Sequence, residues 1–132
     1  MDLRIVEIKQ ADSKKALNTE WFILENVGDG PFTTGNCSLQ VTRGSGKPRG
    51  SLGTLDPGFT FGPGEKVRVV TGNPGKKAHG KAPEVEGIPN YFLFLGAPTV
   101  RGPGTVLVFS LRSHELCRAT FDPKSKTGIA KD

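Results

Sequence analysis

The sequence predicts an all-β fold, and three observations lead to this prediction. Short apolar runs of strand length recur along the 132 residues, and in several of them polar and apolar side chains alternate. Clusters of turn-forming residues separate these runs, and the 18 Gly and 10 Pro are spread between them instead of forming one tract. No segment has the convincing apolar period of an amphipathic helix. We count seven to nine short strands, an arrangement typical of a β-sandwich.

The first two strands are predicted from their apolar residues. In the run Leu3–Ile8 the apolar phase shifts between Ile5 and Val6, which indicates a β-bulge or a strand covered on both faces. A polar loop is expected to follow. The next run, Glu20–Asn26, has apolar side chains on both faces, so we expect a central strand with the single tryptophan, Trp21, in the core.

The later strands are indicated by alternation and by the turns between them. Cys37, Leu39 and Val41 alternate with polar residues, so their strand is expected to bury one face. The other strand candidates, each next to Gly or Pro turn signals, are residues 59–61, 67–70, 91–95, 105–111 and 114–121. The connection over 72–90 has no periodic apolar pattern, and a connection of this length is usually functional or disordered.

We expect one domain with a tail. A chain of this length buries enough surface to form a core without disulfides or a structural metal. We place the β-sandwich at residues 1–121. Residues 122–132, which contain three lysines, are predicted to be a flexible basic tail. No run of 18 apolar residues and no signal-peptide pattern is present in the sequence. A cytoplasmic location is therefore expected if the chain is complete.

The cysteines and histidines do not predict a metal site. Cys37 and Cys117 are expected to be buried reduced thiols, with a disulfide between them as the less favoured alternative. His79 and His114 lie at scattered positions, without Cys-x-x-Cys or His-x-x-x-His spacing. We therefore predict neither a metal nor a cofactor.

No catalytic group of residues is recognisable. Glu20 and Glu25 lie five positions apart on one strand and face opposite sides of the sheet, so they cannot act together as an acid/base pair. Solvation at a strand edge or a local salt bridge is the expected role of these glutamates. The Gly-Pro-Gly turns at 62–64 and 102–104 lack the helix and the Lys-Ser/Thr of a phosphate loop. We predict that the domain is not an enzyme.

The net charge of +5 is concentrated in predicted loops and in the tail. The candidate site for a polyanion or a partner consists of Arg43, Lys47, Arg49, Lys76, Lys77 and Lys81. The Gly-rich tip at 43–50 can adapt to a chain of phosphates, each of which releases counterions when it is bound. No aromatic residue is interleaved with the lysines in sequence, so base stacking is poorly supported. A surface that only keeps the protein soluble is an equal alternative.

Several segments together resemble the lamin tail domain, an immunoglobulin-like β-sandwich. Leu3–Ile8 followed by Glu20–Asn26 is similar to the opening of that family, in which an Ile-x-x-Glu-Ile-like strand precedes a Glu-aromatic-x-x-Leu-x-Asn strand. Pro31–Leu39 resembles the next turn and strand, residues 54–67 resemble the leucine and Pro-Gly turns, and Thr105–Phe121 resembles the closing hairpin.

This resemblance covers residues 3–121 and has departures. Residues 101–105 have neither the Trp nor the Asp that the family often carries before its last hairpin, and Cys37 replaces an aromatic residue. No heptad pattern is present, so a filament-forming role does not carry over. The resemblance implies a non-catalytic interaction or structural module that binds a protein partner. The residues leave open an alternative, sequence-independent nucleic-acid or polyanion binding through 43–50 and 72–81, and they leave the oligomeric state open.

Overall fold

The computed structural model describes residues 3–43, 52–83, 86–112 and 114–130. Within these ranges the chain is all-β, with ten strands and two three-residue 3₁₀ turns, Leu17–Thr19 and Lys77–His79. The strands are β1 (Leu3–Lys9), β2 (Trp21–Asn26), β3 (Phe32–Thr33), β4 (Cys37–Arg43), β5 (Gly53–Thr54), β6 (Thr60–Phe61), β7 (Lys66–Val70), β8 (Asn90–Phe92), β9 (Thr105–Leu111) and β10 (His114–Thr120). β3 and β5 are two residues long, too short to show a pattern in the sequence, whereas the two-residue β6 falls within the predicted candidate at 59–61. The number of strands therefore exceeds the seven to nine that we predicted.

The strands form two four-stranded sheets and one small two-stranded sheet. The first sheet has the order β1-β2-β7-β8 and the second has the order β10-β9-β4-β5, while β3 pairs with β6. Each strand pairing in the described part of the chain is antiparallel except that of β7 with β8. Apolar side chains from both large sheets form one buried cluster, the main core. The architecture is therefore all-β and sandwich-like.

β2 is a central strand, as its two apolar faces predict. It pairs with β1 on one side and with β7 on the other. Phe22 and Leu24 belong to the main core, whereas Trp21 and Ile23 are buried in a second cluster. The guanidinium of Arg68 lies 4.9 Å from the centroid of the Trp21 ring, which is a cation–π contact. Both faces of β2 are therefore covered.

The predicted irregularity in β1 is a β-bulge. The pairing register with β2 shifts between Ile5 and Glu7, so that Val6 is the extra residue. In a regular strand Ile5 and Ile8 would face opposite sides of the sheet, because they are three positions apart. The bulge lets both side chains enter the main core, where they are 4% and 3% exposed.

The two cysteines are free thiols in the main core. Cys37 lies on β4 and Cys117 lies on β10, and β9 runs between these strands. Strands separated by a third strand are about 10 Å apart, whereas a disulfide needs a Cα separation of roughly 4.4–6.8 Å. Burial raises the pKa of Cys37 to about 11 and the pKa of Cys117 to about 12. The expected reduced, protonated thiols fit this arrangement, and a disulfide does not.

Residues 122–130, predicted to be part of a flexible tail, make defined contacts with the sandwich. The amide of Ile8 donates a hydrogen bond of 2.8 Å to the carbonyl of Thr127. Gly128 is buried beside the Ile8 carbonyl and has a φ of +75°. These contacts involve backbone groups, which a lysine-rich composition does not reveal. The sandwich therefore includes this segment, and the last two residues of the chain lie outside the described ranges.

Gly128→Ala is expected to destabilise the protein more than Gly64→Ala. Both glycines have a left-handed φ, +75° and +79°, which costs a non-glycine residue about 1–2 kcal/mol. A Cβ at Gly128 would also collide with the Ile8 carbonyl, whereas a Cβ at Gly64 would meet nothing within 4 Å. We expect a further loss of about 1–3 kcal/mol in the free energy of unfolding of Gly128→Ala, measured by denaturant titration. Equal losses in the two variants would contradict a stabilising role for residues 122–130.

Candidate functional site

Several connections of the sandwich meet at one end of the molecule. Lys9, the last residue of β1, and Val70, the last residue of β7, both pair with Trp21 at the start of β2. In the second sheet, Arg43 at the end of β4 pairs with Thr105 at the start of β9. The β1–β2 connection, the connection after β7 and the connection before β9 all start or finish at these residues.

A buried carboxylate holds these connections together. Glu20 is 1% exposed, and its Oε1 accepts hydrogen bonds from the Thr71 hydroxyl at 2.7 Å, the Thr99 amide at 2.7 Å and the Thr99 hydroxyl at 2.9 Å. Its Oε2 accepts a hydrogen bond from the Val100 amide at 3.2 Å. The Thr71 amide also donates to the Glu20 carbonyl. The segments after β7 and before β9 are thus fixed to the start of β2.

The two glutamates of the β2 motif have different environments. Glu25 makes the local salt bridge that we predicted, with Arg4 at 3.7 Å. For Glu20 the expectation of edge solvation or a salt bridge was wrong, because its carboxylate is buried among hydrogen-bond donors. These donors lie 51 to 80 residues away in sequence, so no local pattern reveals them. Four hydrogen bonds offset the cost of taking the charge out of water.

Exposed cations collect around these connections. We call this part of the molecule the basic end, and it comprises residues 9–20, 71–83 and 93–105. Its exposed cations are Lys14, Lys15, Lys76, Lys77, Lys81 and Arg101. The acids of the same segments are Asp12, which forms a salt bridge of 3.0 Å with Lys9, and the buried Glu20. The basic end therefore has a clear excess of positive charge at its surface.

Half of the predicted site residues lie together in the basic end. Lys76, Lys77 and Lys81 line one groove of about 400 Å³, whose walls also include Phe92. Lys76 and Lys77 make no salt bridge with any residue that the structure describes. We call this the lysine groove.

The other half of the predicted site is described only in part. The backbone of Arg43 reaches the basic end, where this residue pairs with Thr105. Lys47 and Arg49 lie outside the described residues. The role predicted for the tip at 43–50 therefore stays a prediction.

Three exposed cations of the basic end, Lys14, Lys15 and Arg101, were not among the predicted site residues. Lys14 and Arg101 line a second groove of about 530 Å³, together with Ala11, Pro98 and Val100. They come from different connections, and neither lies in one of the segments that the clustering of charge in the sequence marked as basic. Only the fold brings these two side chains to one groove.

The remaining candidate groups are the two histidines. His79 is partly buried in the basic end, and its Nδ1 has no hydrogen-bond partner among the described residues, while His114 is exposed at the other end. In the described ranges, no group of three or more His, Cys, Asp or Glu side chains could hold a metal ion. Across the same ranges, no helix is long and apolar enough to cross a membrane.

Comparison with known proteins does not identify the family of this chain. The sequence matches no known family model, and it matches no curated protein. The likeness to lamin tail domains rests on the sequence segments alone.

Glu20→Gln is expected to lower the free energy of unfolding by about 3 kcal/mol, because the amide nitrogen would face donors and leave buried groups unsatisfied. Urea unfolding measures the loss, and faster hydrogen exchange at the Thr99 and Val100 amides would locate it. Glu25→Gln is the matched control, since its pair with Arg4 is partly solvated and contributes less than about 1 kcal/mol. Similar small losses in both variants would rule out an anchoring role for Glu20.

Proposed function

We propose that this protein is a non-catalytic interaction module, an immunoglobulin-like sandwich of the lamin tail type, whose basic end binds nucleic acid or another polyanion without sequence specificity. The observation that carries the proposal is the group of six exposed cations in the three segments of the basic end. The one exposed acid of these segments, Asp12, is paired with Lys9. Such a surface attracts phosphates and releases their counterions on contact.

The charge at the opposite end supports this choice of surface. Lys66 and Arg112 are exposed there, but so are the acids Asp29 and Glu65. Mixed charges create little net field, whereas the basic end presents cations from three connections. A polyanion would therefore approach the protein from the basic end.

The polar residues at the two ends of β2 have structural roles. Asn26 is fully buried, and its Nδ2 donates hydrogen bonds of 2.9 Å to the carbonyls of Gly30 and Phe61. Its Oδ1 accepts a hydrogen bond of 2.9 Å from the Gly28 amide. Both polar ends of the Glu20–Asn26 motif thus stabilise the sandwich, which is consistent with a scaffold whose motif is not a catalytic site.

Protein binding, the role that the resemblance implies, is the second candidate. The observation in its favour is an apolar groove of about 410 Å³ lined by Val41, Leu52, Leu95 and Pro98. Leu52 is 44% exposed, so the groove presents apolar surface to which a side chain of a partner protein can bind. Binding of this kind would depend weakly on salt, which separates it from polyanion binding.

The double variant Lys76→Ala/Lys77→Ala is expected to bind duplex DNA more weakly than the original protein. Removing two phosphate contacts should also reduce the slope of log K against log salt concentration by about 1–2. Fluorescence anisotropy between low and physiological salt measures both quantities.

The matched control for this experiment is Lys66→Ala/Arg112→Ala, which removes two exposed cations from the opposite end and should leave affinity and slope unchanged. Equal losses in the two double variants would refute a localised site. Binding that does not change with salt would refute polyanion recognition and favour a protein partner.

A further inference from the structure

We infer that Phe94 is a stacking platform for the bases of single-stranded nucleic acid, flanked by grooves that bind the phosphates. This inference rests on the proposed function and specifies the form of the polyanion. It follows from the exposure of the ring, the conformation of its backbone and the cations in the grooves that its neighbours in the chain line.

Phe94 is an aromatic residue that the fold leaves in water. Its exposure is 64%, the largest of any large apolar residue in the described part of the chain, and the other seven phenylalanines are buried or partly buried. The apolar run 91–95 predicted a strand through this position, but β8 ends at Phe92. Phe94 therefore contributes little to the core.

The backbone at Phe94 is both unusual and firmly held. Its φ is +58°, a left-handed conformation that is unfavourable for any residue except glycine and is uncommon for a bulky one. The amides of Phe94 and of the residues before and after it donate hydrogen bonds of 2.8–3.0 Å to the carbonyls of residues 70–72. A strained, anchored position with an exposed ring is typical of a functional site, because burial of the ring does not offset the strain.

Residues close to Phe94 in the chain line two grooves of the basic end that contain cations. Phe92, two positions before it, lines the lysine groove. Leu95, directly after it, lines the apolar groove, which also includes Arg101. Arg101 in turn lines the groove of Lys14. We infer that the phosphates of a single strand bind in the lysine groove and at Arg101, with Phe94 between them in the chain.

The combination of an exposed ring and flanking cations favours a single strand over a duplex. Bases in a duplex stack on one another, whereas unpaired bases can stack on an aromatic side chain while lysines contact the backbone. The described residues also contain no helix that could read a groove. Every base has a flat face, so this binding would not depend on sequence.

Phe94→Ala is expected to weaken binding of a labelled oligo(dT) by roughly five- to 150-fold at a fixed low salt concentration. The salt slope should stay unchanged, because no phosphate contact is lost. Phe94→Trp should retain the affinity, since it keeps an aromatic face. Val27→Ala is the control, because it truncates an apolar side chain that is 44% exposed outside the basic end.

Phe94→Gly distinguishes a loss of base stacking from a loss of protein stability. Glycine adopts a positive φ freely, so this variant should melt at or above the temperature of the original protein and still lose affinity. If Phe94→Ala and Phe94→Gly bind oligo(dT) as tightly as the original protein while Lys76→Ala/Lys77→Ala binds weakly, the stacking inference is overturned and the charged site stands. If the original protein binds neither oligo(dT) nor duplex DNA at low salt, the proposed function and this inference both fail.

Discussion

The burial of the Glu20 carboxylate is the constraint on which the basic end depends. A carboxylate removed from water needs donors for both oxygens, and here the donors come from Thr71, Thr99 and Val100. These residues belong to the two connections that carry the lysine groove and Arg101. Satisfying one buried group therefore places cations from distant parts of the sequence around a common surface. The binding role that we propose depends on this internal anchor.

Asn26 has the corresponding role at the other end of β2. Its three hydrogen bonds go to backbone groups of the turn after β2 and of β6, so that a buried polar side chain fixes each end of the central strand. Between these anchors, Phe22 and Leu24 enter the main core and Trp21 packs on the other face. The side chains of the exposed cations take no part in these hydrogen bonds of Glu20 and Asn26. Substitutions among those cations should change binding while the fold persists.

The sequence predicts features that depend on neighbouring residues and misses those that depend on distant ones. Alternation and turn residues predict the all-β class, the central position of β2 and the irregularity in β1, because side-chain direction in a strand follows from local spacing. The role of Glu20 depends on partners more than 50 residues away, and no local pattern encodes them. The strand predicted over residues 91–95 ends at Phe92 for a related reason, since an apolar run does not show where pairing with a neighbouring strand stops. Lys76, Lys77 and Lys81 were predicted because they are close in the sequence, whereas Lys14 and Arg101 line one groove only in the folded chain.

Mapping amide chemical-shift changes by NMR during a titration with oligo(dT) at low salt tests whether one end of this sandwich binds a polyanion. We predict changes confined to the basic end, largest around residues 72–81 and 93–101, that diminish as salt is added. Changes centred on the opposite end, around Val27, Lys66 and Arg112, would contradict binding at the basic end, as would a spectrum that does not change at all.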